Sequence, residues 1–230
     1  MKHRIFIILF GLLTTIFGHG QSNLKIVILG SSSAQGAGPR DGNNAWVNRY
    51  RNYVQSVDST INIYNLAKGG YTTYKMMPTG FIPPSDDDKY KTDIERNIDK
   101  TLELSPDAII LNFPTNDIAN GFTVEEQVAN YKLIIDMSRK VGVKVWLTTA
   151  QPHSYGDDNF RKKLKELNIR LKMEFGELLI DFWTLVADND GKIRPIYDSG
   201  DGVHLSDAAH GILCLRTIEK GILSTLMNNP

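Results

Sequence analysis

Lys25-Ile26-Val27-Ile28-Leu29, running straight into Gly30-Ser31-Ser32-Ser33-Ala34-Gln35-Gly36, is the stretch on which the fold turns. Three β-branched residues in a short apolar run, closed by glycine, read as a buried strand that ends in a tight loop. The same signature returns at 61–65 (INIYN), 108–112 (AIILN), 143–149 (VKVWLTT) and 178–182 (LLIDF), each bounded by Gly, Pro, Asn or Asp. Between these runs lie amphipathic patterns at 45–57, 93–104, 123–141 and 157–175, and a last one at 206–227. Thr123-Val124-Glu125-Glu126 has the form of a capping box, threonine and the second glutamate bonding each other's backbone amides at the start of the third helix. Strand–helix alternation repeated five times implies an α/β fold with a parallel sheet covered on both faces.

The 230 residues are 41% hydrophobic, 23% charged and 9% aromatic, proportions that speak against disorder and coiled coil. Lys+Arg and Asp+Glu number 26 each, so the basic excess expected of a nucleic-acid partner is absent. A single cysteine, Cys214, excludes an internal disulfide and any multi-cysteine zinc site. No linker or repeat divides the chain; its longest irregular piece, 76–91, carries Pro78, Gly80, Pro83 and Pro84.

Lys2, His3 and Arg4 precede an apolar run of thirteen residues, 5–17, and then Gly18-His19-Gly20-Gln21. This is the pattern of a secretory signal peptide, too short for the ~20 residues of a membrane-spanning helix. Residues 1–20 are therefore expected to be removed on export, with cleavage near Gly20-Gln21, leaving 21–230 as one domain in the periplasm or outside the cell. No membrane association is expected after cleavage.

In an open parallel sheet, ligands bind beyond the carboxyl ends of the strands. Those ends read Gly30-Ser31-Ser32-Ser33-Ala34-Gln35-Gly36, then Lys68-Gly69-Gly70-Tyr71-Thr72-Thr73, then Asn112-Phe113-Pro114-Thr115-Asn116-Asp117; Asp201-Gly202-Val203-His204 stands before the last helix. Singly, each has a plain structural use: serine caps helices, Gly-Gly turns, Asn-Asp caps or turns. The first loop lacks the Gly-Lys-Ser/Thr of a nucleotide-binding loop, and His204 and His210 are not spaced as two zinc ligands on one helical face.

Together and in this order the four blocks resemble those of the SGNH hydrolases, the GDSL-type esterase family, over nearly the whole chain from Lys25. The resemblance implies a three-layer α/β/α sandwich with a five-stranded parallel sheet in the order 2-1-3-4-5. The family's Gly-Asp-Ser-x-x-x-Gly aligns on 30–36 and puts the nucleophile at Ser32. Its second-block glycine falls on Gly70, the asparagine of Gly-x-Asn-Asp on Asn116, and Asp-x-x-His on Asp201 and His204. Serine is a weak nucleophile until a base takes its proton; His204 is the implied base, and Asp201 its orienting carboxylate, with Asp198 as rival. The oxyanion hole would combine the Ser32 amide, the Gly70 amide and the Asn116 side chain, with no metal and no cofactor. Ser31 stands where the family has aspartate, and Pro114 where its third block has glycine.

The resemblance, taken with the expected export and the absence of a long hydrophobic lid, implies a serine esterase acting outside the cytoplasm on small O-acyl, especially O-acetyl, esters of carbohydrate. The alternatives are a lysophospholipase or acyl thioesterase of the same fold, and a non-catalytic glycan-binding protein that retains it. Asp86-Asp87-Asp88 lacks a calcium-loop pattern and reads as a solvated loop. His153 is expected near the site mouth, outside the catalytic set. Trp46, Tyr71, Tyr74, Phe113 and Tyr155 fall near the catalytic end, where stacking on a sugar and local packing are equal readings; Met76-Met77 reads as packing.

Overall fold

The computed structural model describes residues 23–228. The expected leader, 1–20, lies outside them. Five strands form one parallel sheet: β1 (Lys25–Gly30), β2 (Asn62–Asn65), β3 (Ala108–Asn112), β4 (Lys144–Thr148) and β5 (Leu179–Ile180). Their order is β2-β1-β3-β4-β5, as the sequence reading implies. Helices α1 (Ser32–Gln35), α2 (Trp46–Val57), α3 (Ile98–Glu103), α4 (Asn116–Ala119), α5 (Val124–Lys140), α6 (Asp158–Phe175), α7 (Asp207–Glu219) and α8 (Ile222–Asn228) connect and cover it.

Side chains alternate across a strand, so a sheet with two covered faces must be apolar at every position. Ile26 and Ile28 of β1, Ala108 and Ile110 of β3 and Trp146 of β4 pack in one cluster with α2, α7 and α8. Leu29, Ile109, Leu111, Val145 and Leu147 face the other way, into α5 and α6. Met76 and Met77 are fully buried in that second cluster, so the long loop that follows begins on a fixed anchor. Trp46, Tyr71, Tyr74 and Phe113 are also buried, which assigns these aromatics to packing.

Several boundaries differ from the sequence reading, each for a local reason. The helix expected from 93 starts at Ile98, because the Asn97 side chain caps it by accepting from the Lys100 amide at 3.0 Å. The final helix is two, α7 and α8, broken at Gly221, whose φ of 72° no continuing helix allows. β5 is only two residues long: the Asp181 carboxylate accepts from the Trp183 and Thr184 amides at 2.9 and 3.0 Å and turns the chain out of the sheet. The capping box at Thr123 and Glu126 forms as read.

Two features of the sheet position the site. The chain leaves β1 in one direction to make β2 and in the other to reach β3, so the reversal falls between β1 and β3. There Gly30 pairs with Asn112, and the Ser31 amide donates to the Asn112 carbonyl at 3.0 Å. A Cβ at position 30 would lie 2.7 Å from that carbonyl oxygen, so only glycine permits the approach.

Candidate active site

Ser32 is the first residue of α1, directly after the Gly30–Asn112 contact. Its Oγ lies 3.1 Å from His204 Nε2. The opposite ring nitrogen, Nδ1, lies 2.7 Å from Asp201 Oδ2. Residues 172 positions apart in sequence are thus joined by one hydrogen-bonded chain of hydroxyl, imidazole and carboxylate.

The Asp201 carboxylate is held by the turn it belongs to. Its Oδ1 accepts from the His204 amide (2.7 Å), the Val203 amide (2.8 Å) and the Ser199 hydroxyl (3.2 Å). Burial works against its charge, but the bonds from the His204 amide and ring and from the Val203 amide prevail and hold its carboxyl far below the usual carboxylate range. Those bonds favour the ionised form of Asp201 beside the imidazole. Asp198, the rival, serves the backbone: its Oδ1 accepts from the Gly200 and Gly202 amides at 2.7 and 3.1 Å and shapes the turn that presents Asp201.

The loop after β2 approaches from the other side. The Gly69 amide donates to Gln35 Oε1 at 2.8 Å, and a Cβ on Gly69 would sit 3.9 Å from that of Ser32. Gly70 follows with φ of 78°, the left-handed region. Asn116, at the start of α4, donates through Nδ2 to the Tyr71 carbonyl at 2.9 Å, tying the third block to the second. A side-chain amide carries two N–H donors, so one remains for a ligand oxygen.

Sequence reasoning passed over the residues that hold these loops. Asp117 is wholly buried, and both its oxygens accept from the Thr73 amide at 3.1 Å. It also accepts from the Thr73 hydroxyl, which in turn accepts from Asn130 of α5 at 2.9 Å. Burial pushes the Asp117 carboxyl up to about 7 against these bonds. Gln151 takes the Ser33 hydroxyl at 2.5 Å and so fixes the turn from beneath. The one available signal was adjacency: Asp117 follows Asn116, and Ser33 follows Ser32.

The other two histidines among the described residues have other duties. His153 Nδ1 accepts from the Gly156 amide at 3.1 Å, its ring meets Phe160 edge-on, and burial lowers its pKa. His210 is buried with Nδ1 accepting from the Trp46 amide at 3.0 Å, and burial lowers its pKa to about 4. Among the described residues no three His, Cys, Asp or Glu side chains group as a metal site, and no helix is long and apolar enough to cross a membrane. Asp88 pairs with Lys91 and Asp87 caps a short turn, as suits an exposed loop.

A five-stranded parallel sheet carrying serine, histidine and aspartate in hydrogen-bonded sequence at its carboxyl edge defines an ester-cleaving hydrolase. The chain belongs to the GDSL-like Lipase/Acylhydrolase family, whose profile matches residues 28–212. Among solved structures it resembles the psychrotrophic esterase EstA from Pseudoalteromonas, at 18% identity over 89% of this chain and 99% of that one, with a TM-score of 0.61. A GDSL-like lipase from Bacteroides thetaiotaomicron matches at 16% identity over 91% and 90%, with a TM-score of 0.60. A two-domain esterase active on acetylated mannans matches at 16% identity over 90% of this chain and 50% of its own, with a TM-score of 0.55. Likeness at these identities is likeness of fold. No curated protein sequence matches significantly.

Proposed function

We propose that this protein is an exported serine esterase that removes small O-acyl groups, acetyl foremost, from carbohydrate, through an acyl-enzyme on Ser32. The observation that carries the reading is the unbroken chain from Ser32 Oγ through His204 to Asp201. In the first half-reaction Ser32 Oγ attacks the ester carbonyl while His204 Nε2 takes its proton, and the carbonyl oxygen becomes an anion. Asp201 holds Nδ1–H, fixing the tautomer and stabilising the imidazolium. The oxyanion is met by the Ser32 and Gly70 amides and the free N–H of Asn116. Collapse breaks the bond to the alcohol oxygen, which takes the proton from His204 and departs. Water then repeats the sequence on the acyl-serine: His204 removes its proton, returns it to Ser32, and the carboxylic acid leaves.

Export rests on the basic start and apolar run of residues 2–17. The carbohydrate preference draws support from that location and from the acetylated-mannan esterase among the similar folds. Fluorophosphonate labelling of the purified protein tests the nucleophile. Labelling should disappear in Ser32→Ala; since Ser31 and Ser33 are 1% and 3% exposed, a labelled variant would refute the mechanism. Aryl esters from acetate to laurate test the acyl group, with turnover expected to fail beyond butyrate; efficient laurate hydrolysis would favour the lysophospholipase or thioesterase reading.

A further inference from the structure

The imidazole that takes the Ser32 proton must return it to the departing alcohol oxygen, so the alcohol part of the ester lies on the His204 side. Two loops build that side. Residues 198–204 carry Asp201 and His204, and residues 151–156 lie against them: the Ser154 and Tyr155 amides both donate to the Gly202 carbonyl, at 2.8 and 3.1 Å. At this junction stands Tyr155, 82% exposed. The other exposed aromatic among the described residues is Tyr64, at 37% and out on the edge strand β2.

The backbone beneath Tyr155 is fixed. The Gly156 amide donates to His153 Nδ1, the Arg161 guanidinium donates to the Gly156 carbonyl, and a Cβ at position 156 would run into the Phe160 ring. Tyr155 therefore stands on a hydrogen-bonded turn, open to water and against the loop that carries Asp201 and His204. The loop that Tyr155 lies against carries the polar residues Asp198 and Ser199, groups that suit the hydroxyls of a sugar.

We infer that Tyr155 is the platform on which the sugar ring bearing the ester stacks, and so the residue that favours carbohydrate esters over simple alkyl esters. This rests on the carbohydrate-esterase reading above. A pyranose presents an apolar face of C–H groups ringed by hydroxyls, which matches an aromatic face with a polar tip. A ring with only two rotatable bonds, on a turn already ordered, loses little conformational freedom when it is covered.

The test compares acetate release from acetylated xylo-oligosaccharides and from ethyl acetate by the wild type, Tyr155→Ala and Tyr155→Trp. The expected result is a fall of about tenfold in kcat/KM on the sugar ester for alanine, carried by KM, with a much smaller change on ethyl acetate. Tryptophan should restore the sugar ester. Wild type active on the sugar, with alanine losing nothing or losing equally on both esters, overturns the platform and leaves the carbohydrate reading standing. Wild type that cleaves ethyl acetate but not the sugar ester overturns the carbohydrate reading and the platform with it.

Discussion

Replacing Asn116 with alanine separates the task its side-chain amide performs in the fold from the one the proposed mechanism assigns to it. One N–H donates to the Tyr71 carbonyl at 2.9 Å and holds the loop that carries Gly70. The other is free for the oxyanion, and because charge appears on that oxygen only as the tetrahedral species forms, it binds the transition state more strongly than the substrate. Loss of one oxyanion donor costs roughly 10²–10³-fold in kcat, or about 3–4 kcal/mol, with little change in KM. Loss of the Tyr71 anchor is a separate and smaller effect. One net hydrogen bond contributes about 1 kcal/mol, which in a chain of this size lowers Tm by about 2–4 °C. Steady-state hydrolysis of an aryl acetate measures the first effect and a thermal melt the second. Asn116→Asp should be no better than alanine, since a carboxylate offers no N–H and repels both the Tyr71 carbonyl and the oxyanion. Ser32 should still react with a fluorophosphonate in either variant, more slowly, because His204 and Asp201 are untouched. Near-wild-type kcat with a raised KM would refute the assignment and leave Asn116 as a loop anchor alone.

Asp201→Asn should lower kcat by roughly 10²–10⁴-fold while melting close to the wild type, because an amide no longer fixes the imidazole tautomer; retained activity would pass the orienting role to Asp198. Asp117 has a folded pKa of about 7 against roughly 4 unfolded, so its contribution to stability is complete below about pH 4 and is lost as pH rises through 7. Asp117→Asn should flatten that part of a melting-temperature series from pH 4 to 8, and an unchanged slope would place the titration elsewhere. Full-length protein exported by a Gram-negative host should lose about twenty residues, read by N-terminal sequencing of the soluble fraction; an N-terminus beginning Met1-Lys2 would count against the leader.

The sheet was legible because each of its strands is coded twice, by a run such as AIILN at 108–112 and by the turn residue that ends it. Strand order and the outward-facing residues were legible through the family's blocks. What was not legible is the support that depends on long-range contact. Nothing local in Gln35 announces that it will bond the Gly69 amide, nor in Asn130 that it will reach Thr73 across 57 positions. Gly221 and Asn97 carried signals for helix boundaries, but amphipathic periodicity ran through both and hid them. Among the aromatics near the catalytic end, composition could not separate Trp46 from Tyr155; burial in the assembled fold separates them completely.

The two departures from the family pattern follow from how neighbouring residues divide the work at each strand end. Ser32 meets the imidazole while Ser33 bonds Gln151 and Ser31 turns into the core; Asn116 holds Tyr71 while Asp117 is buried on Thr73. Ser32 and Asn116 keep the family's residue types, and the two replaced positions, Ser31 and Pro114, are both buried. At position 31 the fold draws on the backbone: the amide donates to Asn112, while the hydroxyl is buried without a hydrogen-bond partner. Serine supplies that amide as well as aspartate does. A carboxylate in the same site, 1% exposed, would need donors that the hydroxyl does not find, so serine is the cheaper occupant there. Position 114 is proline and has no amide to give. The peptide before it is secured from α5, where Gln127 Nε2 donates to the Phe113 carbonyl at 2.9 Å and the Tyr131 hydroxyl donates at 3.3 Å. The turn into Asn116 is therefore held by a helix behind it, and a missing N–H at 114 does not release the asparagine that the proposed mechanism assigns to the oxyanion.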